Sequence, residues 1–406
     1  MREHPFLAGA LLAAGALVLA GCTAGPDDGA APGPTTGPTA QETTGPTAQE
    51  TTEPTPRDRP RPRDPGTQEP RSLTLTVSGD VLMHTGVWES AEVFGTRTGR
   101  QSYDFRPMFE SIKAVYESAD LAICHLEGTL ARPGGPFLSY PIFAGPPQVA
   151  DGLEWAGIDA CTTASNHSVD QGFEGLERTL DVLDAEGIEH AGTARTRREA
   201  RTPTILEVED IEVALLSYTY GTNGLPVDAD KPWSVNLLDI RRILAEASRA
   251  REAGAEIVVV GVHDGLEYQV QPSESQLEVF DALTRSDDID LVYGHHAHVV
   301  QPIDRVNGTW VAYGLGNFIA QQESSRPDTY RGLTARFTFT ESADGDFTVR
   351  RPELIPTFIT PWEPPTPMRL LDVRAELADP ETDPALVGSL RAARRAVRDS
   401  AGQQVG

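Results

Sequence analysis

The chain has 406 residues, with 60 acidic against 34 basic side chains and a formal charge of −26. Six basic and nine acidic residues fall in 1–72, so −23 of that charge belongs to the remainder. A surface this negative argues against nucleic acid and against charge-driven docking on anionic lipid, and it disfavours polyanions unless cations or a local basic patch compensate.

Residues 1–22, MREHPFLAGALLAAGALVLAGC, join a short charged start to a small, apolar run. That run is shorter than the roughly 20 residues that span a bilayer, so the segment reads as an export signal rather than part of the fold. Leu19-Ala20-Gly21-Cys22 is similar to the lipobox of bacterial lipoproteins, in which the cysteine becomes the new N-terminus and carries lipid. The expectation is a protein anchored through Cys22 to the outer face of the cytoplasmic membrane. Residues 23–72 are rich in Thr, Pro and Gly, and GPTAQETT occurs in tandem at 37–44 and 45–52. Such a segment has almost nothing to bury and predicts a disordered tether with a reach of roughly 40 Å.

The main domain is expected over 73–357. Alternation in Leu73-Thr74-Leu75-Thr76-Val77 predicts a strand that delivers Gly79-Asp80 at its end, the glycine allowing a sharp turn. Asp80 is the first candidate metal ligand, and His84, four residues on, is a possible addition. Helical spacing over 107–118 leads to a short buried strand, Leu121-Ala122-Ile123-Cys124, followed by His125-Leu126-Glu127. Glu127 has two oxygens and can bridge two cations. A strand over 157–164 opens into Ser165-Asn166-His167, where Asn166 offers a neutral oxygen ligand and His167 is placed to donate a proton to a leaving oxygen. A helix over 173–186 and a strand at 211–216 follow, then a loop-rich stretch at 219–236 that suits a binding rim.

Helical pattern over 237–253 precedes the clearest strand, 256–262, which ends at His263, a further imidazole ligand; Glu267 lies close behind. After a helix at about 273–285 comes Leu291-Val292-Tyr293-Gly294-His295-His296-Ala297-His298. On an extended backbone alternate side chains share a face, so His296 and His298 are expected at the site and His295 pointing away. Tyr313-Gly314-Leu315-Gly316-Asn317-Phe318 is expected to close one wall, with Asn317 a possible extra ligand. Cys124 and Cys161 each end an apolar run and are expected as small buried side chains, the alternative being a disulfide. The extension 358–406 has a proline-rich start and helical spacing over 384–399, with Arg391, Arg394, Arg395 and Arg398 placed to serve the helix's own dipole.

Strands alternating with helices predict an α/β sheet with a crevice beyond the strands' carboxyl ends. Two carboxylates, an amide and three imidazoles exceed what one tetrahedral ion needs and suit two divalent cations, whether Mn, Fe, Zn or Mg. GDVLMH, HLEGTL, SNHSVDQG, HDGLEY, GHHAHVVQP and YGLGNF, in this order, resemble the bacterial capsule biosynthesis protein CapA family, associated with poly-γ-glutamate capsules. That family is similar to a branch of the calcineurin-like metallophosphoesterases. The resemblance covers about 73–357 and implies a four-layer α/β/β/α sandwich. It also implies Asp80, Glu127, Asn166, His263, His296 and His298 as ligand positions and His167 as proton donor. The family usually has Asn where His125 stands, so position 125 either adds a ligand or disturbs the site; it usually has Trp where Asp264 stands, a change expected to alter the rim. His84 has no firm counterpart. Three functions compete: a two-metal phosphoester hydrolase acting on an envelope substrate, a metal-dependent amide hydrolase on γ-glutamyl polymer, and a non-enzymatic component of a capsule assembly complex.

Overall fold

A computed structural model describes residues 69–402; the export signal, Cys22 and nearly all of the tether lie outside the described residues. Two sheets form the centre. The first contains β1 (Ser72–Val81), β2 (Leu121–Leu126), β3 (Ala160–Thr162) and β4 (Glu189–Ala191), all parallel. The second contains β5 (Thr204–Val208), β6 (Ile211–Thr219), β7 (Ile257–His263), β8 (Leu291–His295), β9 (Ile303–Val306) and β10 (Thr309–Ala312), with β6, β7, β8 and β10 parallel. The chain then returns to the first sheet with β11 (Asn317–Ile319), β12 (Arg331–Glu341), β13 (Phe347–Val349), β14 (Glu353–Ile359) and β15 (Leu370–Asp372). The path across the first sheet is β15-β14-β12-β1-β2-β3-β4, and across the second β5-β6-β7-β8-β10-β9.

Alternation within these strands makes the layers. Leu73, Leu75 and Val77 of β1, Leu121 and Ile123 of β2, Ile257 and Val259 of β7, and Leu291 and Tyr293 of β8 meet in one core between the sheets. Phe337 and Phe339 of β12 fill the same layer. The outer face of the first sheet is covered by α1 (Thr85–Thr98), α2 (Arg106–Phe109), α3 (Lys113–Glu117), α4 (Val149–Trp155) and α5 (Gly172–Ala185). The outer face of the second sheet carries α6 (Ile240–Glu252) and α7 (Glu274–Leu283). Helix, sheet, sheet, helix is the four-layer sandwich expected. Among the described residues no helix is long and apolar enough to cross a membrane.

Three expectations change. The boundary at 357 falls inside β14, and the chain beyond it belongs to the same fold: β15 pairs with β14, α8 (Val373–Ala378) follows, and α9 (Val387–Ala401) buries Leu390, Ala393, Val397 and Ala401. Cys124 and Cys161 are not free thiols. They are opposite one another on β2 and β3, with Cα atoms 4.5 Å apart, and form a disulfide. The helix over 107–118 is two short pieces, α2 and α3, broken at Glu110–Ile112.

Candidate metal centre

The inter-sheet layer is apolar along most of its length and turns polar where the parallel strands end. Continuing the alternation of β2, β7 and β8 by one step beyond Ile123, Gly261 and Tyr293 places His125, His263 and His295 between the sheets. Asp80 joins them through a shift of register. Two residues of β1 lie between Val77 and Asp80, while one residue of β2 lies between their partners Ile123 and His125. This extra residue turns Asp80, rather than Gly79, toward the interior. Gly79 is therefore not at the sharp turn expected; it is glycine because a Cβ there would lie 1.9 Å from the Gly316 carbonyl oxygen.

Asp80 Oδ1 accepts a hydrogen bond of 2.8 Å from His295 Nδ1, and Asp80 Oδ2 lies 3.1 Å from His298 Nδ1. His263 Nε2 is 2.8 Å from Asn166 Oδ1 and 3.6 Å from Glu127 Oε1. His298 Nδ1 donates to Asn317 Oδ1 at 3.0 Å and stands 3.8 Å from Glu127 Oε2. Three groups of three side chains have ligand atoms within 4.8 Å of one another: Asp80, His125 and His295; Glu127, His296 and His298; Asp80, Glu127 and His263. Asp80 and Glu127 each occur in two groups. The groups therefore form one continuous donor cluster built around two carboxylates, a set that would suit divalent cations.

Burial shapes the electrostatics. Burial alone would raise the Asp80 carboxyl; the hydrogen bond from His295 and the closeness of the His298 imidazole outweigh it and hold the group well below its ordinary range. Glu127 lacks such bonds, and burial pushes it well above the usual value against the pull of His298. Burial and neighbouring imidazoles drive His125 and His263 well below the ordinary histidine value, and burial takes His296 to about 4. His298 is the exception: burial would lower it, but Glu127 and Asp80 lift it to about 10.

Both Glu127 oxygens, Asp80 Oδ2, His295 Nε2 and His296 Nδ1 are buried without a hydrogen-bond partner. Each such atom costs on the order of 1–3 kcal/mol. Their gathering in one place is a specific deficit of positive charge, and mixed carboxylate, amide and imidazole donors fit first-row divalent cations.

Beside this cluster His167 Nδ1 donates to Asp170 Oδ2 at 2.7 Å, which fixes the ring and turns Nε2 toward Asn223 Nδ2 at 3.4 Å. Asp170 also accepts the Phe143 amide, and the Phe143 ring meets His167 edge-on at 4.7 Å. Tyr220 lies against His296 with ring centres 4.8 Å apart and planes tilted by 47°, and Tyr268 lies 6.1 Å from His298 with the Arg326 guanidinium 4.0 Å from its ring centre.

The expected ligands Asp80, Glu127, Asn166, His263, His296 and His298 all converge. The expectation for His295 was wrong. The strand ends at His295, which points inward at Asp80, while His296 and His298 have φ of 88° and 56° and reach the site through a turn. His125 is at the centre, within ligand range of Asp80 and His295, and Asn317 touches His298. His84 contributes no group to the cluster: its Nδ1 accepts the Gln321 amide at 3.3 Å and its ring packs on Phe143. Glu267 is exposed and also stands outside the groups. Asp264 accepts a hydrogen bond from Ser275 of α7. Asp170 was missed; an acid three residues after His167, on the same turn, was the available signal. Asn223 and Tyr220 lie in the loop expected to form a rim, but no pattern singled them out.

The class defined so far is a two-sheet α/β protein with a buried carboxylate and imidazole centre at the strands' carboxyl ends. Its sequence matches the family model described as bacterial capsule synthesis protein PGA_cap over residues 74–322, and the chain belongs to that family. It is 24% identical to the capsule biosynthesis protein CapA of Bacillus anthracis, over 64% of this chain and 62% of that one. It is 30% identical to the PGA biosynthesis protein CapA of Bacillus subtilis (strain 168), over 40% of this chain and 43% of that one. The match thus spans less than two thirds of either relative. Among solved structures, the calcineurin-like phosphoesterase YfkN from Bacillus subtilis aligns over 81% of this chain and 98% of that one, with 14% identity and a TM-score of 0.42.

Proposed function

We propose that this protein is a cation-dependent hydrolase of phosphoester type, working in the assembly of a capsule or related envelope polymer such as poly-γ-glutamate. The observation that carries the reading is the set of partnerless, buried ligand atoms of Asp80, Glu127, His295 and His296 beside the His167–Asp170 pair. When bound, divalent cations supply Lewis acidity and charge neutralisation at a scissile phosphoester. Asp170 holds the Nδ1 proton of His167, leaving Nε2 to exchange a proton with the departing oxygen. Tyr220 and Tyr268 line the centre beside His296 and His298. The reading extends to position in the cell: Cys22 anchors the chain by lipid outside the cytoplasmic membrane, and 23–72 tethers it. The disulfide supports an oxidising compartment.

The test is hydrolysis of a chromogenic phosphodiester with added Mn²⁺ by wild type and His298→Ala. Turnover by wild type that falls at least roughly 10²-fold in the variant is expected. Equal activity in the two removes the reading. Shortening of γ-glutamyl polymer without phosphodiester cleavage would place the same centre on an amide bond instead. No activity on either, with capsule retained after Asp80→Asn and His298→Ala together, would leave a polymer-handling role in the assembly complex.

A further inference from the structure

His125 is fully buried at the middle of the centre, and it has no task in the chemistry above. Both of its ring nitrogens are engaged. Nδ1 lies 2.8 Å from Thr162 Oγ1, and Nε2 lies 2.9 Å from His263 Nδ1. Beyond Thr162, Oγ1 is 3.2 Å from the Cys124 carbonyl oxygen; beyond His263, Nε2 is 2.8 Å from Asn166 Oδ1. The result is an unbroken buried chain from a backbone carbonyl to the cluster.

Both ends of this chain are acceptors, the Cys124 carbonyl and Asn166 Oδ1, so its protons can be ordered in either direction; the Thr162 hydroxyl, donating to Cys124, sets the order that leaves His263 Nε2 free for a cation. A carbonyl oxygen only accepts. With the Thr162 hydroxyl donating to Cys124, its own oxygen receives the Nδ1 proton of His125. His125 Nε2 is then a bare lone pair that accepts the Nδ1 proton of His263. His263 Nε2 is left bare, facing Asn166 Oδ1 and, at 3.6 Å, Glu127 Oε1. The opposite order places a proton on His263 Nε2, where a cation must bind. Histidine ligands commonly give their second N–H to a fixed acceptor; here the acceptor is another imidazole.

We infer that His125 is a positioning residue that sets the tautomer of His263 for cation binding, with Thr162 and the Cys124 carbonyl fixing its own. The inference rests on the cation-centre reading proposed above. His125 also lies within ligand range of Asp80 and His295. Direct ligation would break one of its two existing contacts.

Zn²⁺ titration by calorimetry on the chelator-treated full chain tests this, in wild type, His125→Leu, His125→Gln and Thr162→Val. Ring-nitrogen NMR of Zn²⁺-loaded protein reads the tautomer. His263 in wild type is expected to carry its proton on Nδ1. Loss of the acceptor in His125→Leu is expected to weaken one cation site roughly 10–100-fold, with Thr162→Val intermediate. Gln places an oxygen near the lost Nε2, so His125→Gln should bind within about threefold of wild type; this rescue also separates positioning from a folding defect. Unchanged binding in His125→Leu, or a proton on Nε2 of His263, overturns the inference while leaving the cation reading in place. Loss of one whole equivalent of Zn²⁺ in both His125 variants overturns it by making His125 a ligand. Wild type that binds no Zn²⁺ or Mn²⁺ overturns the cation reading itself.

Discussion

The two sheets contribute different chemistry to one site. Strands of the first sheet deliver the oxygen donors, Asp80, Glu127 and Asn166; the second sheet and the turn after it deliver His263, His295, His296 and His298. Neither sheet alone supplies the full donor set. The centre is therefore a property of their stacking, and the apolar layer of Leu75, Val77, Ile123, Val259 and Tyr293 behind it is what holds acids against imidazoles. His125 comes from the oxygen side and reaches across to His263.

The sharpest way to break this division is to remove an oxygen donor that both halves use. Asp80→Asn keeps the shape but gives up the charge that faces His295 and His298. Cation stoichiometry should fall, and turnover should drop by roughly 10³-fold, at the upper end of what one electrostatic contact commonly supplies. Calorimetric titration and the phosphodiester assay measure the two effects. Retention of both would mean that the sheets do not share the cations.

A smaller effect probes the first sheet by itself. The Cys124–Cys161 bond closes a separation of 37 residues and joins β2 to β3 one residue before His125 and Thr162. Replacing both cysteines by alanine should cost about 2–4 kcal/mol in unfolding by denaturant under non-reducing conditions. An unchanged midpoint would show that strand pairing alone holds the oxygen-bearing strands.

How much of this was legible in the sequence follows the same division. The alternation in 73–77, the continuous apolar run in 256–262 and the polar residues at strand ends indicate the order of elements and most ligands. What escaped was where extended geometry stops. The step from Val77 to Asp80 contains an extra residue, and the backbone leaves the strand at His295, so face assignment by parity failed for His295. Pairing across the chain escaped as well. Cys124 and Cys161 face each other only because β2 and β3 are neighbours in register, and β12, β14 and β15 join the first sheet from distant sequence. Leu333, Ala335, Phe337 and Phe339 alternate in the sequence, but nothing local to them names β1 as their partner strand.

The gentlest test lies at the boundary between the two contributions, at His84. Its ring is buried against Phe143, and burial, with the nearby His298 and His167, lowers it from 6.5 to about 3. The fold accepts the neutral imidazole and not the cation. The stability that depends on it is thus fully present above about pH 6.5 and is lost as pH falls from there toward 3. Asn at position 84 keeps an oxygen near Nδ1 to accept the Gln321 amide, but does not titrate. At pH 7, His84→Asn should be the less stable protein, because it gives up the packing on Phe143. Below about pH 6 the gap should close by up to about 1.4 kcal/mol per pH unit and then reverse, as only wild type must hold a proton off the ring. Denaturant midpoints for both proteins between pH 7 and 4 measure the gap. Parallel curves would mean that His84 takes up its proton freely, and that the rim of the centre is wetter than its burial implies.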